Sequence, residues 1–108
     1  MELLKIVVFV PISYVNIVLG AIGNAGAGLI GNYSHCTFSI KGIGRFRPLE
    51  GAKPFIGSVG KLEELEEERV EFVCPKEKAR DVISAIKKVH PYEEVALDIY
   101  PLLDEEDL

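Results

Sequence analysis

Tryptophan is absent from this 108-residue sequence, methionine occurs once and cysteine occurs twice. Two cysteines exclude a miniprotein built on a disulfide framework, so stability has to come from a buried apolar core, which a chain of this length can form. Aromatic contacts depend on five phenylalanines and four tyrosines. The chain as a whole also lacks an excess of lysine and arginine over acidic residues. The net charge of −5 at pH 7 argues against nucleic acid as a partner, because polyphosphate binding requires a basic surface.

Charged residues are missing between Ile6 and Tyr33, and a stretch of that length is long enough to cross a lipid bilayer. Pro11 breaks a helix near the start, and five glycines crowd the second half, so helix propensity is poor. We therefore interpret the stretch as a strand followed by a helix, and we expect no membrane partner. Glu2 beside Lys5 is atypical of a secretory leader, and the cysteines form no paired motif, so we expect a cytoplasmic protein.

Apolar periodicity divides much of the chain into strands and helices. Apolar runs, helical spacing and two-residue alternation predict elements at Leu3–Val10 (strand), 13–25 (helix), Ser34–Ile40 (strand), Lys76–Val89 (helix) and Glu94–Leu103 (strand). In the second strand, alternation places Cys36 in the core and His35 on the opposite side. The first helix carries no charge. We expect Tyr14 and Ile17 on its outer side, with another subunit covering them.

The segment 61–69, KLEELEEER, is ambiguous. Its composition favours a helix, whereas the residues from Val70 to Val73 favour a strand. With a strand here the order becomes β-α-β-β-α-β. That order predicts an α+β, ferredoxin-like sandwich of four antiparallel strands with both helices on one face. We expect one such domain over residues 1–103, followed by an acidic tail at 104–108.

An extended excursion rich in glycine and proline separates the second and third strands, at 42–61. A loop of this length in a compact domain is usually functional or part of an interface. It is also basic: residues 41–61 carry five bases and one acid, whereas residues 62–108 carry six bases and fifteen acids. Either these are separate solvated surfaces, or the loop binds anions or meets acidic residues of another subunit.

Four basic residues of the excursion form the first candidate site. Arg45 and Arg47 flank Phe46 on an extended segment, and we predict that they bind a small anionic ligand together with Lys53 and Lys61. Arginine forks bind carboxylate and phosphate groups well. The alternative is that these bases pair with Glu63, Glu67 and Glu71 of the strand that follows.

The sequence HPYEE at the end of the second helix is the second candidate site. His90, Glu93 and Glu94 are suitable ligands for a divalent metal ion, although a closed zinc site needs four ligands. The alternative role is structural, with His90 satisfying open carbonyls at the helix C-terminus and Pro91 stopping the helix. No Ser-His-Asp or Cys-His spacing indicates a nucleophilic enzyme.

Four motifs together resemble a known module. They are AGAGLIGNYSHCTF (25–38), GIGRFRPLEGAKPFIGSVG (42–60), the Glu63/Glu67/Arg69/Glu71 pattern and HPYEEVALDIYPL (90–102). The combination resembles the PII/CutA-like insert domain of the YqfO branch of the NGG-interacting-factor family, whose members are often labelled GTP cyclohydrolase type-two homologues. The resemblance covers residues 4–103 and implies that the domain stands alone here.

This resemblance implies a strand at 63–73 and a closed homo-oligomer, with a trimer favoured as in PII/CutA-type proteins. In full-length family members a dinuclear metal site lies in flanking domains, which this sequence does not contain, so that chemistry does not carry over. We therefore expect a non-catalytic oligomeric module that binds a small ligand, a metal ion or a protein partner. A metal-dependent hydrolase related to the GTP cyclohydrolase label is the alternative.

Overall fold

The order of strands and helices is that of a ferredoxin-like fold. In a computed structural model, which describes residues 2–108, the elements are β1 (Leu3–Pro11), α1 (Val15–Asn24), β2 (Phe38–Phe46), β3 (Glu63–Pro75), α2 (Ala79–Val89) and β4 (Leu97–Pro101). Short 3-10 turns lie at Ile12–Tyr14, Lys76–Lys78 and Glu105–Asp107. The order β-α-β-β-α-β expected from the sequence is confirmed, and the ambiguous segment 61–69 contributes to a strand.

The four strands form one antiparallel sheet in the order β2-β3-β1-β4. β1 pairs with β3 along its whole length, from Leu3 opposite Pro75 to Pro11 opposite Glu67. Because β3 is the longer strand, its first four residues pair with β2 alone. β2 and β4 are therefore the two edges of the sheet, and β2 with the start of β3 forms a two-stranded ribbon.

One apolar core fills the space between the sheet and the two helices. Successive side chains of a strand point to opposite faces, so alternate residues of β1 and β3 meet the helices. The buried residues of this core are Ile6, Val8, Val10, Val15, Val18, Ile22, Ala27, Val70, Phe72, Cys74, Ala79, Val82 and Ile86. The apolar stripe predicted for the second helix is confirmed, since Val82 and Ile86 are fully buried while Lys87 and Lys88 are exposed.

The opposite face of the sheet is not covered by the helices and carries a small network of charged side chains. Lys5 and Arg69 both contact the Glu71 carboxylate, at 3.5 and 3.1 Å. The Arg69 guanidinium also lies 6.0 Å from the centre of the Phe9 ring. The hydrogen bond from Arg69 holds the pKa of Glu71 below its ordinary value. This face therefore keeps charged groups in fixed positions without a covering layer in the described protomer.

The predicted position of the second strand, 34–40, is wrong. β2 begins at Phe38 and runs to Phe46, well into the predicted excursion. The residues before it form a loop in which His35 has a positive φ of 58° and its ring contacts Asn24 at 3.2 Å. Cys36 is only partly buried, so its predicted core position is also wrong. The loop is held by main-chain bonds after a glycine-rich turn, which breaks the alternation that the sequence suggested.

β2 exposes apolar side chains. Phe38 is 62% exposed, and Ile40 and Ile43 are exposed by about half. Ile17 of α1 is also exposed, as predicted. An edge strand that exposes several apolar side chains is a common place for another chain to bind. No helix within residues 2–108 is long and apolar enough to cross a membrane.

Candidate functional site

An open cleft of about 350 Å³ lies at the end of β2, and we name it the β2 cleft. Its walls are formed by the loop 47–62 and by the segment that follows α2. Most of the lining is apolar or aromatic: Phe46, Pro48, Leu49, Ala52, Pro54, Phe55, Ile56, Tyr92 and Ala96. The charged lining residues are Arg45, Arg47, Glu67, Glu93 and Glu94.

Aromatic rings hold the loop 47–62 against the rest of the fold. Phe55 packs edge-on against Tyr14, with 5.7 Å between ring centroids, and lies 6.5 Å from Tyr92. Phe46 lies 6.2 Å from the same Tyr92 ring. The expectation that Tyr14 faces outward is wrong, because the loop returns over the end of β1 and covers it. The cleft is therefore built on packed rings rather than on a free loop.

The hydroxyl of Tyr92 donates a hydrogen bond to Glu67 Oε2 at 2.8 Å. Burial and this contact raise the pKa of Tyr92 far above its ordinary value, so the phenol stays a neutral donor. The other oxygen of Glu67 lies over Gly44, where a Cβ atom would overlap it. The missing side chain at Gly44 thus makes room for the carboxylate that orients Tyr92.

His90 lies under the Tyr92 ring, with 4.9 Å between the ring centroids, and is only 6% exposed. Its Nε2–H donates to the carbonyl of Phe9 at 2.8 Å, and its Nδ1 accepts the main-chain N–H of Tyr92 at 3.1 Å. These two contacts assign the neutral tautomer with hydrogen on Nε2. Burial accordingly lowers the pKa of His90. The ring joins the end of α2 to β1, rather than satisfying carbonyls of its own helix.

The two glutamates of HPYEE have different surroundings. Glu93 Oε2 accepts the main-chain N–H of Lys53 at 2.8 Å, which ties the loop 47–62 to the end of α2. Glu94 lines the cleft and is exposed. Within residues 2–108 no group of three or more His, Cys, Asp and Glu is arranged to hold a metal ion. His90 and Glu93 already have main-chain partners. Metal binding by His90, Glu93 and Glu94 stays a prediction.

The four predicted anion-binding bases separate into two pairs. Arg45 and Arg47 both line the cleft, whereas Lys53 and Lys61 are not among its lining residues. Arg45 and Lys61 each lie near a glutamate of β3, at 3.6 and 3.9 Å. Both contacts lie at the surface, with Glu63 the least exposed of the four side chains, and surface pairs are worth about 0–1 kcal/mol. Of the predicted partners Glu63, Glu67 and Glu71, only Glu63 lies near one of these bases, Lys61. Arg45 lies near Glu64 instead, and Arg47 and Lys53 make no ion pair within the described chain.

Sequence reasoning missed most of the apolar side of the cleft. The sequence pattern singles out neither Phe55 nor Leu49. A usable indication was present, because large apolar side chains in a loop rich in glycine and proline need a surface to pack against. The partner surface includes Tyr14, 41 positions before Phe55 in the chain, and no local pattern identifies a contact at that distance.

No family model matches the chain. The GTP cyclohydrolase 1 type 2 homolog of Bacillus subtilis (strain 168) is 60% identical over 98 residues, which cover 91% of this chain and 26% of that protein. The protein of the same name from Mycobacterium tuberculosis (strain ATCC 25618 / H37Rv) is 46% identical over 102 residues, which cover 94% of this chain and 27% of that protein. The chain thus spans about a quarter of the length of the curated relatives it matches.

Two solved structures superpose well on this fold. A Bacillus cereus protein related to NIF3 superposes with a TM-score of 0.84 at 51% identity, over 95% of this chain and 26% of that one. CutA from Xylella fastidiosa superposes with a TM-score of 0.71 at 13% identity, over 99% of this chain and 90% of that one. The CutA likeness concerns the fold alone. The resemblance inferred from the motifs is confirmed: over nearly its whole length the chain is similar to one segment of the NIF3-related GTP cyclohydrolase 1 type 2 homologues, and its fold is CutA-like.

Proposed function

We propose that the chain is a non-catalytic, oligomeric binding module that takes a small anionic ligand in the β2 cleft. The observation that carries this proposal is the lining of the cleft, which combines aromatic walls with the guanidinium groups of Arg45 and Arg47. Pockets that bind small molecules typically have apolar walls and a few polar groups that fix the orientation of the ligand. Arginine supplies planar, charge-assisted hydrogen bonds to carboxylate or phosphate.

The acidic residues of the cleft are compatible with an anionic ligand because two of them already have donors. Glu67 accepts from Tyr92, and Glu93 accepts from the main chain of Lys53. Arg47 has no ion pair in the described chain, so its charge is available to a ligand. A ligand with an aromatic ring and an anionic group would place its ring against Phe55 and its charge near Arg47.

Self-association into a closed homo-oligomer, with a trimer favoured, is the second part of the proposal. It is supported by the exposed apolar side chains of β2, with Phe38 62% exposed. An unpaired edge strand with apolar side chains is stabilised when another copy of the chain covers it. Light scattering should give about three times the chain mass of 11.9 kDa. The mass of a single chain at micromolar concentration would contradict it. A cytoplasmic location is also proposed, supported by the two free cysteines.

Phenyl phosphate is a suitable probe for the cleft because it carries both an aromatic ring and an anion. Added to the ¹⁵N-labelled chain, it should shift the amide signals of residues 45–56 and 92–94. The double variant Arg45→Gln/Arg47→Gln should weaken binding by about tenfold or more, since hydrogen bonds to charged groups are worth about 1.5–3 kcal/mol. Arg80→Gln, an exposed arginine on α2, is the matched control. Shifts that are absent at millimolar probe, or unchanged in the double variant, would refute the proposal.

A further inference from the structure

We propose that the ligand of the β2 cleft is a small aromatic zwitterion, whose anionic group binds at Arg47 and whose ammonium group pairs with Glu94. The inference rests on the proposed function and deepens it, because it adds a positive charge to the anionic ligand proposed there. The ligand class is therefore defined by three parts: one aromatic ring, a carboxylate or phosphate, and an ammonium group.

The charges of the cleft lining do not suit a ligand that is only negative. The lining contains two guanidinium groups and three carboxylates, those of Glu67, Glu93 and Glu94, so carboxylates are in excess. The donors to Glu67 and Glu93 are the Tyr92 hydroxyl and the main-chain N–H of Lys53, and both donors are uncharged. These hydrogen bonds satisfy the carboxylates without cancelling their charge. An ammonium group on the ligand offsets the repulsion that its anionic group meets in the cleft.

The three carboxylates differ in the contacts they already make. Glu67 accepts from the Tyr92 hydroxyl at 2.8 Å, and Glu93 accepts from the main chain of Lys53 at 2.8 Å. Glu94 is exposed in the cleft lining and makes no ion pair within the described chain. Glu94 is therefore the carboxylate that can pair with a cationic group while the other two keep their present partners.

The two guanidinium groups differ in the same way. Arg45 Nε lies 3.6 Å from Glu64 Oε2, whereas Arg47 makes no ion pair within residues 2–108. A guanidinium group binds carboxylate or phosphate through two parallel hydrogen bonds. The cleft thus contains one charged group of each sign without an ion-pair partner, Arg47 and Glu94, and a zwitterion is the ligand class that pairs with both.

The aromatic walls suit both the ring and the ammonium group of such a ligand. Phe46 and Phe55 flank Tyr92 at centroid distances of 6.2 and 6.5 Å, with interplanar angles of 53° and 47°. Tilted rings present edges as well as faces, which favours packing of a further ring, and aromatic faces attract ammonium groups. The cleft volume of about 350 Å³ is at the lower end of the range for ligand pockets, which indicates a ligand with a single ring.

Matched ligands that differ only in charge test the inference on the ¹⁵N-labelled full chain. L-phenylalanine, 3-phenylpropionate and 2-phenylethylamine share a ring and a two-carbon chain, and they carry both charges, the anion alone and the ammonium alone. The second pair is 4-(2-aminoethyl)phenyl phosphate with 4-ethylphenyl phosphate, in which the zwitterion has its charges at opposite ends of the ring. The two sets sample a short and a long spacing between the charges. Dissociation constants come from the amide shifts of residues 45–56 and 92–94.

In at least one set, the zwitterion should bind about twofold to fivefold more tightly than its matched anion, which is the contribution of one exposed ion pair. Glu94→Gln should remove this preference, because it weakens binding of the zwitterion and strengthens binding of the anion. Arg47→Gln should weaken both. Glu77→Gln, at an exposed glutamate of the turn before α2, is the matched control and should keep the preference.

The inference would be overturned if neither zwitterion bound more tightly than its matched anion, or if the preference persisted in Glu94→Gln. The same titrations separate this inference from the proposed function. If the anions and phenyl phosphate bind at the cleft but the zwitterions bind no better, the proposed function stands and the ligand carries no ammonium group. If 2-phenylethylamine binds as tightly as the zwitterion and the anions do not bind, both proposals are wrong.

Discussion

Replacing His90 with alanine removes the two hydrogen bonds that join the end of α2 to β1. The carbonyl of Phe9 loses its donor, and the N–H of Tyr92 loses its acceptor, at a side chain that is 6% exposed. Each buried polar group left unpaired costs about 1–3 kcal/mol, so the free energy of unfolding should fall by about 2–6 kcal/mol. In a chain of this length that corresponds to a decrease of about 9–26 °C in Tm.

The same contact makes stability depend on pH. The folded protein keeps His90 neutral, with its pKa below the ordinary value of 6.5, whereas the unfolded chain is protonated near that value. The contribution is therefore complete above pH 6.5, and it is lost as pH falls from there through the lower pKa of the folded state, at up to about 1.4 kcal/mol per pH unit. In His90→Gln the side-chain amide does not titrate, so this part of the pH dependence should disappear.

Urea denaturation followed by circular dichroism measures both effects at a fixed protomer concentration, because assembly contributes to apparent stability. Native protein, His90→Ala and His90→Gln are compared between pH 5 and pH 8, with His35→Gln as the control for the other histidine. A loss in His90→Ala that is equal at both ends of the range would refute the reasoning. If EDTA lowered the stability of the native protein but not of His90→Ala, a metal site would be the correct explanation.

Three other predictions concern the cleft and catalysis. Gly44→Ala should displace Glu67 and destabilise the fold by about 1 kcal/mol in urea denaturation, whereas Gly42→Ala, with open space at its Cβ position, should change it by about 0.5 kcal/mol or less. Tyr92→Phe removes the donor to Glu67 and should destabilise by about 0.5–1.5 kcal/mol in the same assay, and a neutral result would mean that water replaces it. In a phosphate-release assay the purified chain should not hydrolyse GTP with added zinc, manganese or magnesium. Turnover that disappears in His90→Ala would favour the hydrolase alternative.

The core and the topology could be predicted because each of their elements has a local pattern. The apolar run of β1 and the helical stripe through Val82 and Ile86 identify the two layers that pack together. The segment 61–69 shows the limit of composition, because its glutamates favour a helix in isolation. β3 pairs with β2 from Glu63 and also with β1 from Glu67, and this tertiary pairing overrides the local preference for a helix.

The residues before β2 and the cleft were harder to predict because long-range contacts determine them. Ser34–Ile40 alternates like a strand, yet the main-chain bond from Cys36 to Gly28 holds its first half in a loop. Arg45 and Arg47 both line the cleft, and ligand binding by them stays a prediction. The contact of Phe55 with Tyr14 depends on how the loop 47–62 returns over β1, and no pattern within the loop specifies that path.

The two-stranded ribbon at the start of β3 has a consequence for how the protein opens. Residues 63–66 pair with β2 alone, and an isolated two-stranded ribbon is only marginally stable in water. Amide hydrogens of this ribbon should therefore exchange through local fraying, long before those of the fully buried Val8 and Val70 in the middle of the sheet. A neighbouring copy that adds a third strand would convert the ribbon into sheet interior, so its exchange rate reports assembly directly. Dilution should speed exchange in the ribbon while the protected centre of the sheet keeps its rate.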